Sequence, residues 1–400
     1  MLKSLNVAEL TPKEEVQARI NKLKERMERQ GIALAIILQN VDLFYFTGTL
    51  QKGVLAVSAD RDPVFFVEKS LARAMEETPL EITPIKKDKD IKDILGSLGI
   101  LGGRCGMELD VLPVLVFERW KNILGYDNAV DVWPLIRDLR LIKSPFEIRQ
   151  IKRSGKIVTR VFEKAKEIIQ EGMREVDIAA MLESEGRMHG HQGFLRMRGL
   201  NQEMMNMYIT HGLSGTVVSG ADVPISGAGT THAIAQGPSV NKVQKGIPLL
   251  IDYGGGYNGY ITDETRAYAI GELKDIYLKG HAVAKEIIEE TMDFAKEGID
   301  GTEVFMKALH RTKHEGLYEY FMGYGEGKVG FIGHGLGLEI NELPVITPRH
   351  KIILQEGMVF AFEPKFIFPG EGSVGIEVDF IVRKNGLERV TDSPIDITYV

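Results

Sequence analysis

The sequence predicts an α/β domain over residues 1–140 followed by an α+β domain over residues 141–400. Three features carry that reading. In the first third of the chain, strand-length apolar runs alternate with stretches of helical period. At Ser144-Pro145-Phe146-Glu147 a cap residue, a proline and a glutamate fall in the spacing that restarts the chain as a long helix. Beyond about residue 190 the chain reads mostly as strands, interrupted by helical patterns near 274–297 and 302–315.

Thr11-Pro12-Lys13-Glu14 reads as a capping box with proline at the first helical position. Val16, Ile20, Leu23 and Met27 then recur on one face, and Gly31 stops the helix. Residues 32–38 form a buried strand. Residues 53–57 and 63–67 form two more, joined by a polar turn, and a helix follows near 70–77. Lys86-Lys87-Asp88-Lys89-Asp90 alternates in sign, as a solvated face does. After Ser144, the positions Ile148, Ile151, Gly155, Val158 and Phe162 continue one helix face to Gly172. A further helix runs from 176 to about 189.

Composition narrows the function. Hydrophobic residues at 44% and charged residues at 26% fit an ordinary globular protein. A net charge of −7 disfavours nucleic acid and anionic membranes as partners. No apolar run approaches the ~20 residues of a membrane span. The charged N-terminal segment (Glu9, Lys13, Glu14, Glu15) shows no secretory signal, so the expected location is cytoplasmic. The single cysteine, Cys105, excludes an internal disulfide and a cysteine-based zinc site, and is expected in the core. Gly325-Glu326-Gly327-Lys328-Val329-Gly330 matches a dinucleotide-binding pattern in letters only. A helical stretch precedes it where that fold needs a strand.

The chemistry concentrates in acidic residues. An apolar strand ends at Asp252, glycine-rich residues 254–259 make a turn, and the returning strand carries Asp263. The turn lies midway between them, so the two aspartates are expected nearly opposite each other. The device recurs: an apolar strand leads to Glu363, Pro369-Gly370-Glu371-Gly372 turns, and the return carries Glu377. Facing carboxylates repel unless a cation lies between them. Four carboxylates and the neutral imidazole of His334, flanked by Gly333 and Gly335, balance two divalent cations. Oxygen-rich donors with one histidine favour manganese, cobalt or iron, with zinc also admissible. Taken singly, each acid reads equally as a surface residue on a strand.

These motifs resemble the pita-bread metallopeptidases: Xaa-Pro dipeptidase, Xaa-Pro aminopeptidase, methionine aminopeptidase and the related creatinase. Ile251-Asp252-Tyr253-Gly254, Thr262-Asp263-Glu264-Thr265-Arg266, the segment from Gly333 through His334 to Glu339, Glu363-Pro364, and Glu377 match the family's metal-ligand positions. Leu141-Ile142-Lys143-Ser144-Pro145 resembles the entry to its catalytic domain. Asn40 to Gly48 resembles the N-terminal domain of prolidases and creatinases, which methionine aminopeptidases lack.

The resemblance implies a pita-bread catalytic domain, two divalent metals, a short peptide substrate with proline after the scissile bond, and a homodimer. It implies metal binding by Asp252, Asp263, His334, Glu363 and Glu377. Glu363 would shuttle a proton, and His232 and Asn341 would stabilise the intermediate. His189, His191 and His211 stand in reserve as polar pocket residues. Departures lie on the substrate side: Asn341 replaces a usual histidine, Lys365 a usual glycine and Gly375 a usual arginine, and Val378 separates Glu377 from Asp379 where the family usually has Glu-Asp. They leave open a small non-peptide substrate, acted on by a hydrolase or lyase, or a weakly active binding or regulatory protein.

Overall fold

The computed structural model describes residues 8–400. They form two compact units. The first comprises residues up to Arg140 together with Arg198–Gln202; the second comprises Leu141–Met197 and Glu203–Val400.

The first unit holds helices α1 (Lys13–Arg29), α2 (Asn40–Thr47), α3 (Leu71–Glu77), α4 (Lys89–Ser97), α5 (Val114–Leu124) and α6 (Trp133–Arg140). Its strands are β1 (Ile32–Ile37), β2 (Gly53–Ser58), β3 (Val64–Val67), β4 (Ile82–Pro84), β5 (Arg104–Met107) and β6 (Val130–Asp131). They make one mixed sheet in the order β4-β3-β2-β1-β5-β6. The predicted face of α1 is buried through Val16, Ile20, Leu23 and Met27. Its capping box does not form. Pro12, extended at φ −62° and ψ 151°, is itself the cap, and Thr11 packs beside Gly48 instead. Cys105 is buried in β5, where burial pushes its thiol up to about 12, so it is inert at neutral pH.

Arg198 ties the Arg198–Gln202 segment into this unit. The Arg198 guanidinium donates to Asp110 Oδ1 at 3.0 Å and to Asp42 Oδ2 at 2.8 Å, and lies 3.5 Å from the centre of the Trp133 ring. Asp42 is fully buried and also accepts from Arg140 at 2.8 Å. A planar cation that bonds and stacks at once suits such a position.

The second unit holds α7 (Pro145–Ile168), α8 (Glu175–Met188), α9 (Asp275–Phe294) and α10 (Gly301–His314). Its strands are β7 (Met207–His211), β8 (Leu249–Tyr257), β9 (Tyr260–Ala269), β10 (Gly333–Gly335), β11 (Glu342–Ile346), β12 (Val359–Phe362), β13 (Lys365–Phe368), β14 (Gly372–Gly375), β15 (Val378–Arg383), β16 (Gly386–Arg389) and β17 (Thr398–Tyr399). They form three sheets, ordered β17-β9-β8-β7, β11-β10-β12-β15-β16 and β13-β14. The Ser144 capping box forms in full, with Ser144 Oγ accepting from the Glu147 amide and Glu147 accepting from the Ser144 amide. One core packs α7 and α8 on β7, β8 and β9; another packs α9 and α10 on β12, β13, β14 and β15.

Both acidic hairpins exist, with details the sequence reading missed. In the first, β8 runs straight through Gly254, Gly255 and Gly256 and turns only at Asn258-Gly259. Both turn residues have positive φ, 51° and 86°, as a tight two-residue hairpin turn requires. The glycines are spent on close packing instead. A Cβ on Gly255 would lie 2.7 Å from Ser154 Oγ and from Val158 Cγ2 of α7. The register therefore places Asp252 across from Thr265 and Asp263 across from Gly254, so the aspartates are diagonal neighbours rather than directly opposed. The second hairpin is split at Glu363-Pro364. β12 pairs with β15 and β13 with β14, yet the pairs Phe362–Val378 and Lys365–Gly375 keep one register. Glu363 and Glu377 thus come opposite each other at the seam between two sheets.

Candidate metal centre

The backbone brings three sheets to one point. Thr265 of β9 and Glu377 exchange backbone hydrogen bonds at 3.2 and 3.3 Å, which stitches the first hairpin to the seam of the second. His334 sits in β10 opposite Ala361 of β12. The Glu363 amide donates to the Ile332 carbonyl at 2.9 Å. Asp252, Asp263, His334, Glu363 and Glu377 therefore gather in one place although 125 residues separate the first from the last.

Their geometry divides into two parts. Asp263, His334 and Glu377 each present a ligand atom, and these atoms lie within 4.8 Å of one another. His334 Nε2 is 3.8 Å from Asp263 Oδ2 and 3.9 Å from Glu377 Oε1. Its Nδ1 is 3.4 Å from the Gly335 carbonyl, which suits a proton on Nδ1 and a free lone pair on Nε2. The other part centres on Lys365. Its Nζ lies 2.9 Å from Asp252 Oδ2, 2.9 Å from Glu363 Oε2 and 2.7 Å from Glu377 Oε2. Lys365 is 3% exposed, so its charge is matched by carboxylates and not by water. Burial and the neighbouring Glu377 and Asp252 raise Asp263 well above the usual carboxylate range. Burial also raises Glu377, with Glu363 adding to it while Lys365 opposes. Burial works against the Lys365 ammonium, but Asp252, Glu363 and Glu377 outweigh it and hold its pKa well above that of a free lysine.

Supporting residues fix these acids. Thr265 Oγ1 donates to Glu377 Oε2 at 2.8 Å, and Arg266 donates to the Glu377 carbonyl at 2.7 Å. Asp379 Oδ2 accepts from the Asp263 amide at 2.9 Å. Two carboxylates and one imidazole nitrogen converging within 4.8 Å are a donor set that fits a divalent ion at Asp263, His334 and Glu377.

The sequence profile of metallopeptidase family M24 matches residues 149–384, the unit that carries this cluster. The chain belongs to metallopeptidase family M24. The creatinase/prolidase N-terminal domain matches residues 19–142. Over 378 residues the chain is 29% identical to the Xaa-Pro dipeptidase of Pyrococcus furiosus, covering 94% of this chain and 98% of that one. Among solved structures, an Xaa-Pro dipeptidase from Bacillus anthracis superposes with a TM-score of 0.83 at 25% identity, covering 96% and 100% of the two chains. An X-Pro aminopeptidase from Thermotoga maritima does so at 0.80 and 25%, covering 94% and 100%. The fold is therefore a creatinase-type N-terminal domain followed by the pita-bread catalytic domain of M24, and membership supports metal-dependent peptide hydrolysis.

In this M24 chain the three converging ligand atoms include none from the remaining histidines. His232 is exposed on the turn closed by Thr231 and Ile234, and has no hydrogen bond or ion pair with the five acidic and imidazole groups. Asn341 is exposed on the turn before β11. His191 uses both ring nitrogens on backbone, Nε2 with the Gly254 carbonyl at 3.0 Å and Nδ1 with the Gly193 amide at 2.9 Å. His211 does the same with the Pro248 carbonyl and the Gln244 amide, and burial lowers its pKa to about 4. His189 pairs with Glu185 on the surface. None of these three is among the converging ligand atoms. Sequence reasoning noted Lys365 as unusual but missed its role. The signal available was a lysine two residues after Glu363, where strand alternation returns a side chain to the same face.

A cavity of about 470 Å³ lies on the Phe331 side of the centre, and none of the five candidate ligands lines it. Val218, Phe331, Arg349 and His350 are among its walls. Phe331 also meets the His334 ring edge-on, with centroids 6.3 Å apart, so this cavity and the cluster share a wall.

Proposed function

We propose that the protein hydrolyses short peptides at the bond preceding proline, using a divalent cation held by Asp263, His334 and Glu377. The observation that carries this reading is the convergence of those three ligand atoms within 4.8 Å beside the 470 Å³ cavity. The cavity is of the size that takes a small ligand, and a dipeptide is such a ligand. The Xaa-Pro specificity is supported by the names of relatives that match nearly end to end. A divalent ion at this position supplies Lewis acidity and lowers the pKa of water.

The chain's own groups would do the rest. Glu363 would carry a proton from water to the leaving nitrogen. Lys365 Nζ, 2.9 Å from Glu363 Oε2, holds that carboxylate in place. His232 and Asn341 remain proposed donors to the substrate carbonyl. Both are exposed, so the proposal requires a bound peptide to meet them. A homodimer acting in the cytoplasm belongs to the same proposal. No helix among the described residues is long and apolar enough to cross a membrane.

The test is a panel of Xaa-Pro dipeptides and longer Xaa-Pro peptides, assayed with manganese or cobalt and then with chelator. Chelator-sensitive cleavage is expected. An ion-loaded protein that cleaves no member of the panel would overturn the peptidase reading in favour of a small non-peptide substrate.

A further inference from the structure

We propose that the Lys365 ammonium is a built-in cation that takes one of the two positions in the carboxylate cluster, so that the site binds a single divalent ion. The inference rests on the metallopeptidase reading for the ion, but not on peptide being the substrate.

The argument is a count of oxygens and cations. Lys365 Nζ donates to Asp252 Oδ2 at 2.9 Å and to Glu377 Oε2 at 2.7 Å, and Glu363 Oε2 lies 2.9 Å from the same nitrogen as an ion-pair partner, so three carboxylate oxygens surround the ammonium. A second divalent ion would need oxygens of this same trio, at the ~2.0–2.2 Å of a coordination bond. Two cations cannot share them, because the ammonium nitrogen already stands at the point where they converge. Glu377 shows the division within one side chain. Its Oε2 is taken by Lys365 and Thr265, while its Oε1 faces His334. Asp263 Oδ2 also faces His334 and is not among the oxygens that Lys365 contacts. One cation position is therefore filled by the protein, and one keeps its donors for an ion.

The fold accommodates this lysine by a matching absence. Lys365 and Gly375 are directly opposed in β13 and β14. A Cβ on Gly375 would lie 2.6 Å from Lys365 Cγ and 2.8 Å from Lys365 Cα. Any side chain at 375 would collide with the lysine stem. The two substitutions read in the sequence at 365 and 375 are thus one structural event: a side chain removed from one strand opens the path for a lysine on its partner. Charge leaves the oxygen count to decide, since either occupancy misses neutrality by one. Four carboxylates meet one ammonium and one divalent ion, leaving a net −1, whereas two ions beside the ammonium would leave +1.

The experiment counts metal without reference to catalysis. Purified protein is reconstituted with manganese, freed of excess ion, and assayed by elemental analysis and electron paramagnetic resonance. Wild type is expected to hold one equivalent and to show the spectrum of isolated manganese. Lys365→Ala and Lys365→Gly are expected to take up a second equivalent and show a spin-coupled pair. Two coupled ions in wild type, or variants that fold and remain at one equivalent, would overturn the proposal. The wild-type spectrum decides even where the variants fail to fold. A lack of Xaa-Pro cleavage would not change the count, so this inference and the proposed function fail separately.

Discussion

The two acidic hairpins of the second unit solve the same electrostatic problem in opposite ways. In the first, the diagonal neighbours Asp252 and Asp263 are both acids, and neither β8 nor β9 aims a cation at them. In the second, the diagonal neighbours are Lys365 and Glu377, so acid and base are paired within the arm itself. The second arm then lends its charge outward, since Lys365 also reaches Asp252 of the first. Asp263 is left with only acids and an imidazole, and that is where an external cation is needed. A single lysine thus converts a symmetric set of four acids into one satisfied half and one hungry half. Glu377 belongs to both.

Breaking that shared residue should have the largest effect. Glu377→Gln removes the charge that both halves use. Peptide hydrolysis should fall at least about 10²-fold, the scale of losing one electrostatic group in an active site. Metal retention should fall with it. Steady-state kinetics at saturating manganese, paired with elemental analysis, checks this. Full retention of both ion and activity would remove Glu377 from the centre.

Next comes the satisfied half. Lys365→Met keeps the stem but deletes the ammonium, stranding Asp252, Glu363 and Glu377 in a buried site. Removing one partner of a buried ion pair costs roughly 3–5 kcal/mol. Urea unfolding in chelator should show a deficit of that size. If the variant matches wild type, the ammonium contributes nothing to the fold. Gly375→Ala tests the path rather than the charge. Its Cβ meets both the stem and the backbone of Lys365, so overpacking of about 1–3 kcal/mol is expected. The same variant should loosen Lys365 from Glu377 and raise manganese uptake above wild type.

The contrast also marks what a sequence can show. The first hairpin, the seam acids and His334 were legible because apolar strands ending in acids, separated by turn residues, form a local pattern. The Ser144 helix start was legible for the same reason. The turn was misplaced because six residues rich in glycine looked like a loop. Asn258-Gly259 alone supplies the positive φ that the turn needs, and the other glycines serve packing, Gly255 against α7, Gly254 against Leu195 and Gly256 against Gln192. Lys365 was visible as a departure but not as a cation for three acids. Its meaning depends on Gly375, ten residues away, and on Asp252, 113 residues away. Arg198 escaped notice likewise, because its partners Asp42 and Asp110 come from distant parts of the chain.

The smallest effect concerns the helix that backs the second arm. Gly280 of α9 packs on that arm, where a Cβ would lie 2.8 Å from Val374 and 3.0 Å from Phe368. The next residue, His281, is buried, donates from Nε2 to the Ile395 carbonyl at 2.9 Å, and leaves Nδ1 without a hydrogen-bond partner. Burial lowers its pKa to about 4, with Asp396 opposing and Lys285 and Arg266 reinforcing the shift. The native state therefore binds this proton less readily than the unfolded chain, whose histidine titrates near 6.5. Stability from the neutral ring is present above pH 6.5 and is lost as pH falls toward 4. At pH 5.5 the loss relative to neutral pH is about 1.4 kcal/mol. His281→Gln can keep the donor to Ile395 and removes the titration. Urea unfolding in chelator at pH 7.5 and 5.5 should show that much less acid sensitivity in the variant than in wild type. Equal sensitivity in the two proteins would place the acid response of this arm elsewhere, with the carboxylate cluster as the first place to look.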